Sequence, residues 1–127
     1  MLFCIRSSKT LAQVAQALEA ATEEYKFGII AIHDLKAKMK EKGVDYDRDC
    51  LVYEVCNAQQ TKKVLEANPE ISTALPCRIA VFTEGSGVTL ATLLPTALLD
   101  MFRTPGLRPV AEEVEKAISG IMSQAAR

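Results

Sequence analysis

The chain reads as a single α+β domain of two layers, a mixed, mostly antiparallel five-stranded sheet with helices packed against it. Three observations predict this. Apolar residues alternate between short strand-like runs and stretches with helical spacing, in the order β-α-β-α-β-α-β-β-α-α. The turn Glu84-Gly85-Ser86-Gly87 lies between two apolar runs and makes the fourth and fifth strands an antiparallel hairpin. No repeat, low-complexity tract or linker interrupts the 127 residues, so residues 1–127 form one domain, long enough for a core without disulfides or metal.

Each element has a local cause. Leu2-Phe3-Cys4-Ile5 is a short apolar run and the first strand. Ser7 or Ser8 is placed to cap the helix that follows. In that helix Leu11, Val14, Ala15, Leu18, Ala21 and Tyr25 share one face, with glutamines and glutamates on the other. Phe27-Gly28 ends it, and Ile29–His33 is rich in β-branched residues. Asp34 caps a short lysine-rich helix that Gly43 stops.

Cys50–Cys56 alternates with period two. Cys50, Val52, Glu54 and Cys56 take one face; Leu51, Tyr53 and Val55 take the other. Asn57 is a good N-cap, with Gln60 at the capping-box position, and the helix stops before Asn68-Pro69. Glu70–Leu75 is an irregular return to the strand Ile79–Thr83, which the hairpin links to the apolar run Val88–Leu94. Pro95 opens a short helix, Thr104-Pro105-Gly106 breaks it, and Pro109 opens the last one.

Composition excludes several functions. Fifteen basic and sixteen acidic side chains give a net charge of -1, which is not the footprint of a nucleic-acid binder. The run from Val88 to Leu94 is too short to cross a bilayer, and the N-terminus lacks the pattern of a signal peptide. No membrane partner is expected. Four cysteines without CxxC spacing read as reduced thiols of a cytoplasmic protein.

Reactive groups gather in Glu54-Val55-Cys56-Asn57 and in Leu75-Pro76-Cys77. Cys56 precedes a helix N-terminus, whose partial positive charge favours a thiolate. Glu54, on the same strand face, opposes this if ionised nearby. The plain alternative is that Cys56 packs the end of the strand, and the same holds for Cys77. If the third and fourth strands are parallel, the two thiols lie at opposite ends. If Pro69–Leu75 returns along the helix, the strands are antiparallel and the thiols meet.

His33, the only histidine, is a candidate for ligand binding, as are Glu54 and Asn57. A zinc site from Cys56, Cys77, His33 and Glu54 fits by ligand type but lacks metal-ligand spacing, so no metal is expected. Lys36, Lys38, Lys40 and Lys42 spread around their helix as a solvated surface.

In order, Phe27-Gly28-Ile29-Ile30…Asp34, Cys56-Asn57, Leu75-Pro76-Cys77 and Pro109-Val110-Ala111-Glu112-Glu113-Val114 resemble the family called domain of unknown function 302. The likeness runs from the first strand to the last helix. This chain has Ala58 where the family pattern commonly has proline after Cys-Asn. The resemblance implies a compact, mostly prokaryotic α+β domain that often self-associates, with no settled activity. It also implies that Cys56, Asn57 and Cys77 form a site.

The resulting expectation is a cytoplasmic domain whose Cys56/Cys77 region binds a small ligand or carries thiol redox or sulfur chemistry. The other expectation is a non-catalytic interaction module with core cysteines. High apolar content and strand edges without bulges or prolines predict a homodimer. Neither a cofactor nor an enzymatic reaction is legible.

Overall fold

A computed structural model describes residues 1–127. Five strands form one sheet: β1 (Leu2–Ser7), β2 (Gly28–Asp34), β3 (Cys50–Cys56), β4 (Cys77–Glu84) and β5 (Gly87–Leu93). The spatial order is β1-β5-β4-β3-β2, and all four pairings are antiparallel. The helices are α1 (Leu11–Glu24), α2 (Leu35–Glu41), α3 (Ala58–Ala67), α4 (Pro95–Asp100) and α5 (Arg108–Ala126), with a 3₁₀ turn at Pro69–Ala74 after α3.

Period-two alternation decides what is buried. The face bearing Tyr53, Val55, Ile79, Val81, Val88 and Leu90 packs against Val14, Leu18 and Ala21 of α1 and Ile118, Ile121 and Met122 of α5. Burying a side chain of this size contributes about 1.5–3 kcal/mol, so the two helices are held chiefly by their apolar stripes. The opposite face, with Arg78, Ala80 and Phe82 on β4 and Val52 and Glu54 on β3, carries partly exposed side chains. A second, smaller cluster of Val64, Ile71 and Leu107 joins α3 and the 3₁₀ turn to the start of α5, apart from the main core.

Three details differ from the sequence expectations. Thr10, not Ser7 or Ser8, caps α1: its hydroxyl accepts from the Gln13 N–H, and the Gln13 side chain accepts from the Thr10 N–H. Ser7 is the last residue of β1, and its hydroxyl donates to the Ala126 carbonyl at the end of α5, which ties the strand to that helix. The edge strand β2 does carry a bulge, between Ile29 and Ala31, contrary to an edge free of bulges.

Candidate functional site

Antiparallel pairing of β3 with β4 settles the question of the two thiols. The 3₁₀ turn returns the chain along α3, so β4 begins where β3 ends, with Cys77 directly opposite Val55. Cys56 and Cys77 therefore belong to the same end of the sheet. Leu75–Pro76 is a cis peptide bond.

Asn57 builds the corner. Its backbone is extended, its Oδ1 accepts from the Gln60 N–H at 3.1 Å, and its Nδ2 donates to the Lys26 carbonyl at 3.3 Å. The first contact satisfies one orphan N–H of α3, worth about 1 kcal/mol, and the second ties α3 to the end of α1. The expected capping box is only half made. The Gln60 side chain does not reach back to Asn57; its Oε1 is buried without a hydrogen-bond partner. An unmet buried acceptor costs about 1–3 kcal/mol, which a donating group placed beside it would relieve.

Gln60 is one wall of a narrow pocket of about 40 Å³. Its polar lining is Cys56, Asn57, Gln60, Thr61 and Cys77; apolar side chains such as Phe27, Val64, Leu75, Pro95 and Leu98 supply the rest. The Cys56 Sγ lies 3.0 Å from the Thr61 Oγ1, so the hydroxyl can donate to the sulfur. Cys56 also sits one residue before the cap of α3, at the positive end of that helix.

Cys77 has a different environment. Burial is the main cause that pushes its thiol up to about 11; the neighbouring Cys56 adds to this and Arg78 opposes it. At neutral pH Cys77 is a protonated thiol that packs against the main core, not a nucleophile.

His33 and Glu54 are placed elsewhere. Both lie on the other face of the sheet, where the Glu54 Oε1 is 3.0 Å from the His33 Nε2 and its Oε2 is 3.4 Å from the Arg78 Nε. The hydrogen bond with His33 is the main cause holding the Glu54 carboxyl below its ordinary value; desolvation opposes it, and the charges of His33 and Arg78 assist. Neither His33 nor Glu54 lines the pocket, so the sequence candidates divide into Cys56, Asn57 and Cys77 within it and His33 and Glu54 outside it. Nowhere do three His, Cys, Asp or Glu side chains converge as metal ligands, which removes the geometric basis of a zinc site from Cys56, Cys77, His33 and Glu54. The lysines of α2 are solvated, and Lys36 pairs with Asp49 at 3.7 Å.

Sequence reasoning missed Gln60, Thr61 and Arg78. Thr61 and Gln60 read as ordinary first-turn residues, and only the turn of each side chain assigns them to the pocket. Arg78 was findable: once β3 and β4 are antiparallel, it falls opposite Glu54.

No curated protein matches the chain. The crystal structure of an uncharacterized conserved protein DUF302 from Bacillus stearothermophilus is similar over 99% of this chain and 98% of its own, with 26% identity and a TM-score of 0.92. The family model described as domain of unknown function DUF302 matches residues 3–125. That match reaches every strand and helix from β1 to α5, and the chain belongs to the DUF302 family.

Proposed function

We propose that the domain takes a small, largely apolar ligand into the pocket at the end of β3 and β4, with Cys56 as the residue that carries thiol redox or sulfur chemistry. The observation that carries this is the grouping of Cys56, Gln60, Thr61 and Cys77 on the wall of one mostly apolar pocket. Asn57 acts here as the helix cap that fixes the wall, and His33 and Glu54 act apart from the ligand.

The test is site-resolved thiol modification of the native protein with a small neutral reagent, methyl methanethiosulfonate, followed by peptide mapping. Cys56 is expected to react in the native state and Cys77 only after unfolding. If Cys56 too stays unmodified until the chain unfolds, it is a core residue.

The second reading is a non-catalytic interaction module, favoured by the partly exposed sheet face opposite α1 and α5. Both readings are compatible with a homodimer, which we place on that face. The ion pairs Arg6–Glu84 and Arg78–Glu54 border Ala80, Phe82 and Val52, so the charges there already have partners within the protomer. Four free cysteines support a reducing, cytoplasmic setting, and no helix is long and apolar enough to cross a membrane.

A further inference from the structure

The walls of the pocket decide the charge of what enters it, an inference that rests on the ligand reading above. The 15 residues that line it are all uncharged, in a chain whose side chains are 24% charged. An ion moved there sheds water and meets no opposite charge in the wall, a loss that an uncharged molecule avoids. The positive end of α3 favours an anion, but it is partly spent within the fold, because the Asn57 Oδ1 already accepts from the Gln60 N–H.

Polarity is also unevenly placed around the pocket. Apart from the protonated, core-packed Cys77, the side chains able to hydrogen-bond all come from the stretch 56–61, at the end of β3 and in the first turn of α3. The remaining walls, among them Leu98 of α4 and Val114 of α5, are hydrocarbon. Within the polar stretch the Asn57 amide is engaged at both ends, with the Gln60 N–H and the Lys26 carbonyl. The Cys56–Thr61 pair, 3.0 Å apart, has capacity to spare. If the Thr61 hydroxyl donates to the sulfur, its lone pairs can accept from a third group; if the thiol donates, the hydroxyl proton is free to be given.

We propose that the occupant is an uncharged molecule with a hydrocarbon body and one hydrogen-bonding end, the class to which short aliphatic alcohols belong. Its polar end lies at Thr61 and Cys56, and its body lies against α4 and α5. Such a site separates an alcohol from the acid of the same chain length, since the acid carries at neutral pH a charge that the wall does not meet. Bound there, the molecule covers the Cys56 sulfur and shields it from reagents in solution.

The probes are 1-hexanol, hexanoate and hexylamine, equal in chain length and different in charge, titrated into the full chain at neutral pH and followed by amide chemical shifts. 1-Hexanol is expected to shift residues 56–61 and α4, to bind roughly tenfold tighter than either ion, and to slow modification of Cys56 by methyl methanethiosulfonate. Thr61→Val, which keeps the shape and loses the hydroxyl, should weaken 1-hexanol roughly fivefold and leave the two ions unchanged. Hexanoate or hexylamine binding as tightly as 1-hexanol would overturn the proposal, as would an unaltered affinity in Thr61→Val or shifts gathered on the helix-free sheet face. Should Thr61→Val fail to fold, the three-probe comparison on the native protein decides alone. An ion that wins while shifting residues 56–61 defeats only this inference. Three probes that neither shift those residues nor protect Cys56 defeat the ligand reading as well.

Discussion

Cys56 and Cys77 come from adjacent strands at one end of the sheet, yet their surroundings give them opposite dispositions. Cys56 ends its strand against a threonine hydroxyl, whereas Cys77 begins its strand against the main core. The difference has a measurable sign. The Cys77 thiol titrates near 9 in an unfolded chain and is pushed to about 11 in the fold. Burial of the neutral thiol thus contributes stability that is fully present below pH 9 and is lost as the pH rises from 9 through 11, about 2–3 kcal/mol over the window. Denaturant titrations across that range should show the loss in the native protein and a flatter profile in Cys77→Ala, whose baseline is lower because a small cavity replaces the sulfur. An equally steep fall in Cys77→Ala would rule this out. At this scale the sequence was legible where backbone chemistry dominates. Asn57 caps as its short amide dictates, and Asp34 does the same for α2. It was illegible at Gln60, because reaching back to Asn57 and turning into a pocket are rotamers of one side chain, chosen by tertiary packing.

Among the elements, the return from β3 to β4 defines the site. Val64 of α3 and Ile71 of the 3₁₀ turn are anchored with Leu107 in the small cluster, while β3 and β4 belong to the main core. The wall of the pocket is thus held by fewer apolar contacts than its floor. Amide hydrogen exchange should follow this division, with α3 amides exchanging at least about tenfold faster than those of β3 and β4. Val64→Ala should widen the gap, since removing two methyl groups from so small a cluster costs about 1–3 kcal/mol. Protection in α3 equal to that of the central strands would count against a separately held wall. Strand and helix types were readable in order because their periods differ. The antiparallel sense of β3 and β4 was not, since an intervening helix is compatible with either sense and only the return at Pro69–Ala74 decides it.

In the whole molecule, two layers leave one sheet face without helices, and the homodimer is expected there. Light scattering should give twice the mass of the 13.9 kDa chain at high micromolar concentration, and Ala80→Lys should shift the species toward monomer. A monomer at every concentration, with both proteins alike, would exclude that interface. The assembly of sheets also depends on their rims. A sheet able to accept a neighbour at both rims joins head to tail without limit and ends as a fibre, whereas contact through a shared two-fold surface closes at two copies. The rim at β2 is interrupted by the bulge between Ile29 and Ala31, which breaks the regular ladder of N–H and C=O groups beside the exposed Ile30 and Ile32. One unsuitable rim suffices to end a head-to-tail chain, so an irregularity of one residue is enough to bar an endless ribbon of edge-paired sheets.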